Sequence, residues 1–174
     1  MAETIAGIAA RKPADAFALA DERGQTTWRE LDERVNRLIN AFRTAGLATG
    51  ATLAVMSGNR REYYELLAAA GHAGWTLVPV NWHWVGDELA YVLDNSDAAA
   101  LVVEAPYLDV ARAALAQLGP GAPRIRVVVD PGGIEDDFVD YEELLASGSP
   151  DEPADQTLGG PMFYTSGTTG RPKG

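Results

Sequence analysis

Apolar positions alternate along the chain between a helical spacing of three to four residues and short continuous runs, and this alternation predicts helices and strands in turn. Residues 17–20 and 25–27 flank Asp21-Glu22-Arg23-Gly24 and read as a hairpin that turns at the glycine. Thr27 and Glu30 form a capping box ahead of Trp28, Leu31, Val35, Leu38, Ile39 and Phe42, which share one stripe of a helix ended by Gly46. The run 53–56 predicts a buried strand, and Asn59 with Glu62 opens a second helix that reaches about residue 73. Residues 76–80 form the next strand, in which Pro79 marks an end or an edge. A helix over 86–95 turns Leu89, Val92 and Leu93 inward, and 100–103 is again strand. Leu108, Ala111, Leu115 and Leu118 mark a helix that closes at Gly119-Pro120. Then come a strand at 126–129, a short helix at 141–146 and a strand at 161–164.

Strands alternating with helices across short connections predict an α/β fold with a largely parallel sheet flanked by helices on both faces. The stretch 147–155 is acidic, small and poor in apolar residues, and reads as an exposed linker. It divides the chain into an α/β subdomain over 1–156 and a strand with its following loop over 157–174. A loop that leaves a strand's carboxyl end stands where open α/β sheets bind ligands.

At 174 residues and 47% hydrophobic, the chain is long enough for one domain with a core. A net charge of −11 repels phosphate on average and argues against nucleic acid or an anionic membrane as partner. No cysteine is present, which excludes disulfides and thiol chemistry in these residues. No apolar run is long enough to span a bilayer and no basic leader opens the chain, so a cytoplasmic protein is expected.

The chemistry concentrates in residues 164–174, Tyr-Thr-Ser-Gly-Thr-Thr-Gly-Arg-Pro-Lys-Gly. Gly167 and Gly170 allow positive φ and close backbone approach, while the hydroxyls of Thr165, Ser166 and Thr168 can donate to anionic oxygens. Successive N–H groups in such a turn form an anion nest, and Lys173, one of only two lysines in the chain, adds a mobile positive charge. The string departs from a Walker A loop at two places: Pro172 replaces its second glycine, and Gly174 replaces its magnesium-binding hydroxyl.

The string resembles the signature loop of the AMP-forming adenylating enzymes, which include acyl-CoA synthetases, peptide-synthetase adenylation domains and luciferases. The resemblance implies that Thr165, Ser166, Gly167, Thr168, Thr169, Gly170 and Lys173 bind the β- and γ-phosphates of ATP. It extends more weakly over 27–31, 55–62 and 80–93, and the last of these is similar to acyl-CoA ligases more than to amino-acid adenylation domains. On this resemblance the chain is an incomplete N-terminal portion of the large domain of an acyl-CoA synthetase. The implied substrates are ATP, a fatty or related carboxylic acid and coenzyme A, with Mg²⁺ travelling with the ATP. The catalytic residues and the metal-binding glutamate lie downstream in the family, so no catalytic or metal-ligating residue is assigned and the 174 residues alone are expected to be inactive. Two alternatives remain open: an amino-acid adenylation domain that loads a carrier protein, and a non-catalytic nucleotide-binding α/β module.

Other constellations read as structural. Trp82-His83-Trp84 suggests rings packed under a loop with the imidazole bonded to backbone, and His72 a helix-terminal residue. Asp136, Asp137, Asp140, Glu142 and Glu143 match no calcium loop and read as a solvated charge run; Arg171 reads as a solvated loop charge and Tyr164 as strand packing. The strand at 162–165 is expected to present an open edge, available for self-association, with the last ten or so residues mobile.

Overall fold

The computed structural model describes residues 4–133 and 137–164. The predicted hairpin is present: β1 (Phe17–Asp21) pairs antiparallel with β2 (Gly24–Thr27). Thr27 then caps α2 (Trp28–Thr44), its hydroxyl accepting from the Glu30 N–H at 3.3 Å while the Glu30 carboxylate accepts from the Thr27 N–H at 2.7 Å. A preceding helix, α1 (Ile5–Ala9), was not legible, since five residues are too few to display a period.

β3 (Thr52–Met56), β4 (Thr76–Val80), β5 (Ala98–Glu104), β6 (Ile125–Val129), β7 (Val139–Asp140) and β8 (Gly160–Pro161) form one sheet in the order β7-β6-β5-β3-β4-β8. Every pairing in it is parallel. The crossovers are α3 (Arg61–Ala73), α4 (Gly86–Asn95) and α5 (Leu108–Leu118), and α6 (Tyr141–Ser147) follows β7.

Because strand side chains alternate, the apolar runs serve two cores at once. Leu53, Val55, Ala100, Val102, Val127 and Val129 pack with α2, α3 and α6. Ala54, Met56, Leu101, Val103 and Val128 pack with α4 and α5. Each of the Leu, Val and Met side chains among them contributes roughly 1.5–3 kcal/mol when fully buried, which makes coverage of both faces the dominant stabilising term.

Three sequence expectations are modified by tertiary contacts. α3 begins at Arg61 rather than under an Asn59 cap, because Asp21 of the hairpin accepts from the Arg61 N–H at 3.3 Å and the Arg60 guanidinium takes Glu62 at 2.9 and 3.0 Å. The final strand is shorter than 161–164. Leu77 turns its backbone groups toward β8, accepting from the Met162 N–H at 2.8 Å, and Pro79 presents the same side two residues later with no N–H to continue the ladder. The acidic stretch after α6 is solvent-facing yet tied down along α2. Asn40 donates to the carbonyls of Ser149 and Asp151 at 2.9 and 3.0 Å, Arg37 to that of Gly148 at 3.0 Å, and Arg43 to the Asp155 carboxylate at 2.7 Å. No helix among the described residues is long and apolar enough to cross a membrane.

Candidate functional site

The last described residues carry the chain along the β4 edge toward the string at 164–174. Gly159, Gly160 and Met162 donate in turn to the carbonyls of Gly71, Trp75 and Leu77 at 3.1, 3.0 and 2.8 Å. β8 runs parallel to β4 and therefore advances toward the sheet's carboxyl edge. Tyr164, first residue of the loop string, packs against the core on the α4–α5 side, and its hydroxyl donates to Asn95 Oδ1 at 2.7 Å. Burial, and then the neighbouring Tyr91, push the Tyr164 phenol above its ordinary value, so it stays a protonated donor. Thr165, Ser166, Gly167, Thr168, Thr169, Gly170 and Lys173 lie outside the described residues, as do Arg171 and the expectation of a mobile terminus.

The sheet order reverses between β3 and β5, and open α/β sheets commonly bind ligands in the crevice at such a point. Here that crevice is filled by the protein's own charges. Glu104, closing β5, accepts from the Gly58 N–H at 3.0 Å, the Ser57 hydroxyl at 3.3 Å and Arg60 at 3.0 Å. Arg60, buried, also reaches Asp130 at 2.6 Å, and Asp130 pairs with Arg23 of the hairpin turn. Burial pushes the Glu62 carboxyl up, but its bonds from Arg60 outweigh this and hold it below the usual carboxylate range. Three carboxylates, Glu62, Glu104 and Asp130, face two guanidiniums, Arg23 and Arg60. A cavity of about 280 Å³ remains beside them, and its excess negative charge disfavours a phosphate. The sequence did carry a faint sign of this cluster, a charged residue directly following each of the apolar runs 100–103 and 127–129.

A second polar cluster lies between α2, α3 and α6. Glu65, only 1% exposed, receives Arg34 at 2.8 and 3.0 Å and the Tyr141 hydroxyl at 2.7 Å, while Arg34 also pairs with Glu142 at 2.6 Å. Burial raises the Tyr141 phenol well above its ordinary value, and the adjacent Glu65 charge adds to it.

The remaining candidates depart from expectation at one place. Trp82 and His83 are exposed rather than packed beneath a loop; the rings stack at 3.4 Å, and the imidazole Nδ1 lies 3.2 Å from Asn81 Oδ1 instead of bonding to backbone. His72 sits in the last turn of α3 beside Gln156 at 3.1 Å. In the acidic run, Asp140 caps α6, Asp137 pairs with Arg112 at 3.2 Å, Glu142 pairs with Arg34, and Asp136 lies outside the described residues.

The family model whose description is AMP-binding enzyme matches residues 6–174. The 3-oxocholest-4-en-26-oate–CoA ligase of Rhodococcus rhodochrous is 34% identical over 168 residues, covering 92% of this chain and 30% of that protein. The fatty acid–[acyl-carrier-protein] ligase ScoC of Streptomyces coeruleorubidus is 30% identical over 176 residues, covering 100% of this chain and 32% of that protein. In three dimensions the chain resembles the anthranilate CoA ligase AuaEII solved with anthranoyl-AMP, with a TM-score of 0.79 over 91% of this chain and 31% of that one; at 19% identity this is a likeness of fold. The chain spans about 30% of the length of the curated relatives it matches. With the loop string at the end of a parallel β8 and a family match running through it, the chain belongs to the AMP-binding enzyme family.

Proposed function

We propose that this chain supplies the phosphate-gripping wall of an ATP-dependent acyl-CoA synthetase, as the N-terminal part of its large domain. A carboxylate oxygen attacks the α-phosphorus of ATP, the bond from that phosphorus to the bridging oxygen breaks, pyrophosphate leaves and an acyl-AMP forms. The thiol of coenzyme A then attacks the acyl carbonyl, the proton of the thiol is lost and AMP departs. The string 164–174 within the family match carries this reading, supported by relatives named as ligases of carboxylic acids.

ATP enters as its magnesium complex, with the metal carried on the triphosphate as part of the substrate. The backbone amides around Gly167 and Gly170, the hydroxyls of Thr165, Ser166, Thr168 and Thr169, and the Lys173 ammonium hold the β- and γ-phosphates. Their contribution is positioning and charge stabilisation of the departing pyrophosphate. The acid is a fatty or related one, and the cytoplasm is where such an enzyme meets ATP and coenzyme A.

Acid-dependent exchange of pyrophosphate into ATP tests the reading. The full-length protein exchanges, and Lys173→Ala lowers the exchange at sub-saturating ATP by about tenfold or more, the loss of a charge-assisted phosphate contact. The pure 174-residue chain does not exchange, and exchange by it would refute the assignment of the reacting groups to residues beyond it. The carrier-protein relative favours a second reading in which the acyl group passes to a carrier thiol. Thioester formation by the full-length protein with coenzyme A, against formation with an acyl carrier protein, separates the two.

A further inference from the structure

Tyr164 is the last described residue before the phosphate loop, and little backbone structure holds it. The final ladder bond among the described residues is Met162 N–H to Leu77 O at 2.8 Å, and Pro79 has no N–H with which to continue it. Phe163 turns outward and is 61% exposed. What fixes Tyr164 is its side chain: the ring lies on the α4–α5 core, and the hydroxyl reaches Asn95 Oδ1 at 2.7 Å.

Asn95 is exposed, but the helix that carries it is packed into the core. This residue ends α4, whose Leu89, Val92 and Leu93 are buried, and the helix is closed behind it by the Ser96 N–H to Val92 O bond at 3.0 Å and a left-handed Asp97 at φ 50°. The rigid end of a core helix is thereby connected, through one phenol, to the peptide bond that enters the loop. Asn95 contributes an oxygen acceptor and Tyr164 the donor, an arrangement that a carboxylate could replace and a methyl could not.

Resting on the reading of the loop as an ATP phosphate site, we infer that Asn95 is a positioning residue for nucleotide binding, acting through the Tyr164 hydroxyl to set where the loop begins. An exposed neutral hydrogen bond limits the effect to about threefold to tenfold in affinity.

The experiment uses the full-length protein and steady-state kinetics with ATP and the acid varied in turn. Asn95→Ala and Tyr164→Phe each raise KM for ATP about threefold to tenfold, leaving kcat, KM for the acid and the melting temperature unchanged. The double variant is no worse than either single one, and Asn95→Asp, which keeps the acceptor, restores the wild-type KM. Lys173→Ala is measured alongside. A raised KM for ATP in Lys173→Ala, with none in Asn95→Ala or Tyr164→Phe, overturns this inference and leaves the phosphate site standing. An unchanged KM in all three removes the phosphate reading itself. Additive effects in the double variant, an effect of Tyr164→Phe alone, or losses that follow the melting temperature also overturn the role given to Asn95.

Discussion

Glu65 shows how a single residue can be legible in type and hidden in purpose. It stands on the inward stripe of α3 between apolar neighbours such as Leu66 and Ala69, so the pattern flags a charge where a hydrophobe is expected. Its partners, Arg34 and Tyr141, lie 31 and 76 residues away, and no local rule connects them. A buried carboxylate is tolerated only with its acceptor oxygens occupied, and here all three bonds converge on them. Glu65→Ala leaves Arg34 half-paired and the Tyr141 hydroxyl orphaned, and should lower stability by about 3 kcal/mol, whereas Tyr141→Phe should cost about 1 kcal/mol. Urea unfolding of the three proteins checks the ranking, and equal losses would mean that packing rather than the polar network dominates. The loop residues from Thr165 to Lys173 are the opposite case, since residue types in order were enough to indicate the family.

At the scale of elements, long amphipathic helices and continuous apolar strands could be read directly. The capping box of Thr27 and Glu30 is a local device and appears in the structure as written. Short elements were read poorly: β7 was missed and β8 was placed at 161–164, because each is two residues long and forms only where a neighbouring strand offers free backbone groups. β8 depends further on Gly159. A Cβ there would collide with the backbone oxygens of Ala70 and Trp75, while the Gly159 N–H bonds to Gly71 at 3.1 Å. Gly159→Ala should therefore displace β8 from β4 and cost about 1–3 kcal/mol. In the full-length protein the same variant should raise KM for ATP, because the loop's point of departure moves with β8. Unchanged stability together with unchanged KM would show that the strand adapts without consequence.

For the whole molecule, charge decides how stability responds to acid. Hydrogen bonds from Thr27 hold the Glu30 carboxyl below its usual range. Burial pushes the carboxyls of Asp21 and Glu62 up, yet bonds from Arg23 and Arg61 to Asp21, and from Arg60 to Glu62, outweigh it and leave both depressed. Asp32 runs the other way, raised by burial and by Glu152. A depressed carboxyl contributes stability that is present above its unfolded value and lost as pH falls through its folded one. Three depressed groups against one raised group predict a flat stability from neutrality to about pH 5 and a decline below about pH 4. Urea midpoints measured across that range test this, and Glu62→Gln should flatten the decline; a midpoint that rises on acidification contradicts it.

The order of residues by itself determined the succession of the longer helices and strands, the parallel α/β class and, through the loop string, the family. These follow from periodicity, capping and turn residues, which act within a few positions of one another. Only the tertiary structure decided that the crevice at the strand reversal is closed by Glu104, Arg60 and Asp130, that Pro79 ends the β8 ladder, and that Asn95 meets Tyr164. Those partners lie 44 residues or more apart and meet because two hydrophobic faces of one sheet must both be covered, a condition that the folded chain satisfies as a whole and no segment satisfies alone.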